Sequence, residues 1–174
     1  MKALSIREPY AWEIIMGDKT IEYRTWLPGK VSTFLLVSTA TPSVTDFGWG
    51  LPNGYALAII KIDAVSDNKS HGSYSWHVSV ENLVKPFPVK GRLHFYQVDD
   101  AKIETLPHLL DSLMVYREDK GSKKTGNFVE QYVNPLLKIG YGQMPKKYQK
   151  IIQRTGDWHA AAETWYKSRN SGTH

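Results

Sequence analysis

Cysteine is absent from the 174 residues, which excludes a disulfide framework, a thiolate zinc site and a catalytic thiol. No apolar run is long enough to span a bilayer, and Met1-Lys2-Ala3-Leu4-Ser5 lacks an apolar signal core. A cytoplasmic protein without a membrane partner is therefore expected. The six histidines, His71, His77, His94, His108, His159 and His174, show no paired ligand spacing such as His-x-x-x-His, so no metal is expected. Gly140-Tyr141-Gly142 has no third glycine and no long strand before it, and no nucleophile-elbow serine is present. Those gaps remove the dinucleotide and serine-hydrolase readings, and no cofactor is expected. Low-complexity tracts and solenoid repeats are missing as well.

What remains is an ordinary globular composition. Hydrophobic residues make up 41%, charged ones 22% and aromatics 12%, enough to bury a core and too much for intrinsic disorder. The length suits one domain with an appendage. The net charge of +5 is uneven: residues 1–100 hold 10 Lys+Arg against 10 Asp+Glu, and residues 101–174 hold 12 against 7. The whole excess lies in the second part, which suggests an acidic partner such as nucleic acid.

Residues 3–7 read as a short strand. Pro9 and Gly17 then bracket a short helix, proline suiting the first turn and glycine the position past the last. Thr20 to Trp26 alternates, with Ile21 and Tyr23 on one face and Glu22 and Arg24 on the other. Val31 to Ala40, Tyr55 to Ala64 and Arg92 to Val98 are further strand candidates, separated by turn-rich segments at 42–54 and 66–75. These short strands predict a small, mostly antiparallel β-barrel of α+β class over residues 1–104.

After Asp100 the period changes. Leu106, Leu109, Leu110, Leu113 and Met114 follow helical spacing. A second helix is predicted over 127–134, stopping before Pro135. Two more are predicted at Pro145 to Arg154 and, capped by Asp157, at Trp158 to Ser168. Residues 105–174 thus read as a basic, helical C-terminal extension. The seam Trp158, Ala161, Ala162, Trp165 and Tyr166 would dock it on the barrel.

Two blocks carry a family resemblance. The first is Ser5-Ile6-Arg7-Glu8-Pro9-Tyr10-Ala11 followed by Gly17-Asp18-Lys19-Thr20-Ile21-Glu22-Tyr23-Arg24, a strand, a Pro-led helix, a Gly-x-Lys turn and a strand with Glu-x-Arg. The second is Trp76, Glu81-Asn82 and Lys85-Pro86-Phe87-Pro88-Val89-Lys90-Gly91. In this order they resemble the ASCH domain, of the PUA-like superfamily, over roughly residues 3 to 100. The resemblance implies a PUA-like barrel whose cleft handles RNA or a nucleobase. Some members hydrolyse acetylated cytidine, and some have been described as ribonucleases, so fold narrows function without fixing it.

On a strand, Glu22 and Arg24 project from one face, and Lys19 can reach the same space from the preceding turn. Arg24 as a forked donor, Glu22 as an acceptor and Lys19 as a cation or base would suit a polar heterocycle. The plainer alternative is a solvated strand face. In the acetylcytidine amidohydrolase branch, the lysine matching Lys19 is catalytic together with a threonine on this strand and a distant glutamate. Glu22 stands where that threonine would be, Thr20 lies two residues earlier, and Glu81 is the candidate distant acid. A carboxylate cannot replace a hydroxyl nucleophile without changing the reaction. Binding is therefore the expected function, and a hydrolase of a modified nucleoside or a metal-independent ribonuclease the alternative.

Candidate base-stacking residues are Tyr10, Trp12, Trp26, Trp49, Tyr74 and Trp76, core packing being the competing role. Trp76 is expected at the cleft edge, Trp12 in the packing of the short helix. Ser38, at the end of a strand, is a further candidate binding hydroxyl. Lys147, Lys150 and Arg154 share one face of a predicted helix, either as phosphate contacts or as a solvated surface. The expected partner is RNA, another single-stranded nucleic acid, or a modified nucleoside.

Overall fold

The computed structural model describes residues 1–40 and 50–171. Six strands form one sheet: β1 (Lys2–Ile6), β2 (Ile21–Arg24), β3 (Thr33–Ser38), β4 (Tyr55–Val65), β5 (Tyr74–Pro88) and β6 (Tyr96–Gln97). Their order is β2-β5-β4-β3-β1-β6. Every ladder is antiparallel except β1 with β3, which pairs Ala3 with Leu35 and Ile6 with Ser38 in parallel. The sheet is thus mixed and, among the described residues, open: β2 and β6 are its edges and do not pair. The class is α+β, but the barrel predicted from sequence is not closed.

The shape of the two edges accounts for the gap. β2 is four residues long and β6 two. The strand predicted over 92–98 survives only at Tyr96–Gln97 because His94 takes a left-handed φ of 56°, which interrupts a ladder. Side chains bridge part of the opening. Trp26 packs edge-on against His94 at 5.1 Å and Phe95 at 5.0 Å between ring centroids, and Arg24 Nη2 donates to the Ser5 carbonyl at 3.3 Å.

Both faces of the sheet are buried. Phe34 and Leu36 of β3 join a cluster with Leu4, Ile6, Leu57, Ile60 and Trp76, while Leu35 and Val37 join Ala3, Ala56, Val84 and Val98 on the other side. Such two-sided burial explains the continuous apolar run of β3. β5, at 15 residues the longest strand, was not foreseen. Its first half alternates, with Tyr74, Trp76, Val78 and Val80 against Ser75, His77, Ser79 and Glu81, but the alternation breaks at Asn82 and the second half carries Pro86 and Pro88, which argue against a strand when read locally. Register shifts against β4 absorb that irregularity.

Helix α1 (Tyr10–Met16) buries Ala11, Ile14 and Ile15 over the first cluster and ends at Gly17 with φ 79°. Helix α2 (Leu110–Glu118) adds Leu113 to the same core. Arg117 on α2 donates through Nε and Nη2 to the Ile15 carbonyl at 2.9 and 2.6 Å, satisfying an acceptor that the end of α1 leaves open.

The helix predicted to stop before Pro135 instead runs through it. Helix α3 (Gly126–Phe128) passes through a π-helical turn, Val129–Val133, into α4 (Asn134–Gln143). Asn134 keeps helical angles, φ −62° and ψ −43°. The wide turn immediately before the proline relieves the clash that its ring would make in a regular helix. Phe128, Tyr132 and Leu136 from this stretch enter the strand-and-α1 core, and the Tyr132 hydroxyl donates to the Leu57 carbonyl at 2.7 Å.

Helices α5 (Lys146–Thr155) and α6 (Trp158–Asn170) follow, the latter capped by Asp157, whose side chain accepts from the His159 amide at 2.8 Å. They share a smaller cluster of Met144, Tyr148, Ala161 and Ala162, joined by part-buried Trp158 and Trp165, whereas Tyr166 is exposed. The backbone of α4 comes close to Gly50, where a Cβ on Gly140 would lie 2.1 Å from the Gly50 carbonyl oxygen, and α6 reaches the same point through the Trp158 ring, 2.8 Å from where a Cβ on Gly50 would stand. No helix among the described residues is long and apolar enough to cross a membrane.

Candidate functional site

The gap between the sheet edges is a cleft. One lobe, of about 610 Å³, is lined by Ser5, Ile6, Arg7, Tyr10, Lys19, Glu22, Tyr23, Arg24 and Thr39. A second, of about 510 Å³, is lined by Ser5, Arg24, Thr39 and the stretch from Lys90 to His94. Ser5, Arg24 and Thr39 line both, so the lobes join at a waist.

The turn that presents Lys19 is held at both sides. The Lys19 amide donates to the Glu13 carbonyl at 3.1 Å, and Val78 donates to the Thr20 carbonyl at 2.9 Å. From there β2 pairs with β5, Glu22 opposite Trp76 and Arg24 opposite Tyr74. This places the Glu22–Arg24 face inward, with Glu22 7% exposed, and Tyr23 outward at 57%. The charged face that looked solvated from alternation alone is the buried one.

The Glu22 carboxylate lies between two cations. Lys19 Nζ is 3.3 Å from its Oε2, and Arg24 Nε is 2.9 Å from its Oε1. The arginine contact is an ion pair not aligned as a hydrogen bond. Lys19 Nζ also donates to the Ile21 carbonyl, and it stands 5.8 Å from the Tyr10 ring centroid and 5.3 Å from that of Tyr23, within cation–π range. The result is a cluster with one net positive charge, acceptor and donor groups side by side, and two half-exposed tyrosines beside it.

The remaining sequence candidates fall elsewhere. Thr20 is exposed and does not line either lobe. Glu81 is exposed on β5, beyond the register that pairs with β2, and lines neither lobe. Trp76, expected at the cleft edge, is 0% exposed and packs edge-on to Trp26 at 4.9 Å and stacked on Phe95 at 5.8 Å. Trp26 is part-buried in that aromatic group rather than on the lining. Trp12 packs with α1, stacked on Tyr132 at 6.5 Å; Tyr74 is likewise part-buried against the core. Ser38 is 1% exposed, its hydroxyl donating to the Pro52 carbonyl at 2.9 Å and accepting from the Tyr55 amide at 3.2 Å, so it ties β3 to the start of β4. Trp49 lies outside the described residues. Lys147, Lys150 and Arg154 are exposed on α5, with Lys147 Nζ 4.9 Å from the Tyr148 ring centroid.

Sequence reasoning did not single out Ser5, Thr39, Tyr23, Lys90, Arg92 or His94 as lining. Ser5 lay within the first quoted block and Lys90 within the second. Nothing local marks them, since they converge only through the β1–β3 pairing and the turn at His94. Among the described residues no group of three or more His, Asp or Glu side chains is arranged to hold a metal ion.

A small mixed-sheet domain with a charged cleft at its open seam is the class that fold and site define. Residues 4–83, which contain α1, the Lys19 turn, β2 and most of β5, match the ASCH domain family. ASCH domains are generally linked to RNA binding. No curated protein is similar enough to the chain to be matched with it.

Proposed function

We propose that the chain binds RNA through this cleft and accepts one base or nucleoside in the lobe formed by Tyr10, Lys19, Glu22 and Arg24. One observation carries the reading: a carboxylate buried between two cations inside an open cleft. Withdrawing a carboxylate from water costs several kcal/mol, and apolar packing would serve stability as well or better. A buried Glu22 held by Lys19 and Arg24 is therefore better explained by a ligand than by the fold. Glu22 supplies an acceptor, Lys19 and Arg24 supply donors, and Tyr10 supplies a face for stacking. The basic face of α5 would add sequence-independent phosphate contacts.

The test is fluorescence anisotropy with single-stranded RNA of each base at fixed salt, for the parent, Glu22→Gln and Lys19→Ala. Both variants should bind at least about tenfold more weakly, the loss of one charge-assisted hydrogen bond. Unchanged affinity in both would sink the proposal. The same samples incubated with acetylated cytidine and with RNA would reveal turnover if the chain is instead a hydrolase or a ribonuclease.

A further inference from the structure

Resting on the cleft reading just given, we infer that the second lobe, formed by Lys90 to His94, is a phosphate subsite, so that the cleft selects a nucleotide over a free nucleoside. The two lobes differ in chemistry. The first contains a carboxylate that neutralises part of its positive charge. The second is lined by Lys90, Arg92, His94 and Arg24 with no carboxylate at all. Lys90 and Arg92 have no ion-pair or hydrogen-bond partner among the described residues, in contrast to Lys19 and Arg24. A concave surface with unpaired lysine and arginine is suited to a dianionic tetrahedral group, which accepts several charge-assisted hydrogen bonds at once.

The loop carrying these cations is fixed. Gly91 sits so close to β1 that an added Cβ would lie 2.6 Å from Ser5 Oγ. Ser5 Oγ in turn lies 2.8 Å from the Tyr96 hydroxyl. His94 holds its left-handed φ with its ring against Trp26. The waist between the lobes offers what a sugar needs, because Thr39 Oγ1 is buried there without a partner and can take a hydroxyl. Base, sugar and phosphate then follow one another from Tyr10 and Glu22, past Thr39, to Lys90 and Arg92.

The experiment measures affinity by NMR titration for the four ribonucleosides, their 5′- and 3′-monophosphates and inorganic phosphate, with the parent, Lys90→Ala/Arg92→Ala, Gly91→Ala and Glu22→Gln. In the parent, one monophosphate series should bind roughly tenfold to a hundredfold more tightly than the nucleosides, the yield of one or two charge-assisted hydrogen bonds. In Lys90→Ala/Arg92→Ala that ratio should fall close to one. Gly91→Ala, which displaces the loop without removing charge, should also lower it. Equal affinity of nucleosides and both monophosphates in the parent overturns the phosphate subsite and leaves the cleft reading standing. A ratio that survives the double variant overturns it too. If none of the compounds binds, or Glu22→Gln changes nothing, the cleft reading fails and the subsite with it. Inorganic phosphate displacing a monophosphate in the parent but not in the double variant would support the assignment, and its failure to displace any would count against it.

Discussion

The two cationic surfaces of the chain are built on opposite terms. In the cleft, Lys19 and Arg24 flank a buried carboxylate, and their positions are set by a capped helix and a paired strand. On α5, Lys147, Lys150 and Arg154 stand in solvent on a helix that packs through a small cluster of its own. Counting charges favours the second region, since the whole net excess lies beyond residue 100. Geometry favours the first for selecting a ligand, because fixed and partly desolvated groups discriminate while exposed cations attract any polyanion.

The largest expected effect lies under the cleft. Trp76 is wholly buried opposite Glu22 and holds the aromatic group that spans the sheet opening. Trp76→Ala should cost about 3–5 kcal/mol in urea unfolding and abolish binding with it. If stability fell and affinity did not, the cleft would not depend on the floor described here. Next is Glu22→Ala, which leaves Lys19 and Arg24 without their counter-charge. A cost of about 1–3 kcal/mol is expected, below the full penalty for a buried pair because both cations retain some solvent. A variant as stable as the parent would mean that Glu22 is as solvated as the residues on α5, and the contrast would dissolve.

Between the extremes lies the part of the chain from α2 to α4, whose Leu113, Phe128, Tyr132 and Leu136 belong to the main core. The buried Tyr132 hydroxyl is pushed well above its ordinary value, by burial first and by nearby Glu8 second. In the unfolded chain it ionises near pH 10, while the native state keeps its proton. Its contribution is therefore intact below about pH 10, and stability declines as the pH rises beyond that. Tyr132→Phe should flatten the decline in a series of urea titrations, leaving the smaller share of Tyr96, which is also raised by burial. It should cost about 1 kcal/mol at neutral pH through the lost bond to Leu57.

Several of these elements were legible in the sequence because their signals are local. Pro9 and Gly17 bracket α1, and Asp157 caps α6, within a residue or two of where pattern put them. Lys19, Glu22 and Arg24 could be read as a group because six consecutive residues bring them together. The open sheet could not be read, since it depends on how far β2 and β6 extend against distant partners. β5 was hidden by its prolines, and the helix through Pro135 by a π turn that no single residue announces. Alternation alone did not give the inward sense of Glu22, because it separates two faces without saying which one is buried; only the family resemblance pointed to a cleft there.

The smallest effect on stability is expected at α5, and there the comparison is sharpest. Lys147, Lys150 and Arg154 are exposed and form no ion pair among the described residues, so replacing all three by alanine should change unfolding free energy by less than about 0.5 kcal/mol. If the three touch phosphates, each contributes roughly 0.7 to the slope of log affinity against log salt for a single strand, and the slope should flatten by about two. The loss should be similar for every RNA sequence, since phosphate contacts carry no base information. Glu22→Gln should behave in the reverse way, altering the ranking of bases while leaving the salt slope nearly intact. An unchanged slope in the triple variant would assign α5 to solubility, and an altered base ranking would bring it into the cleft's own work.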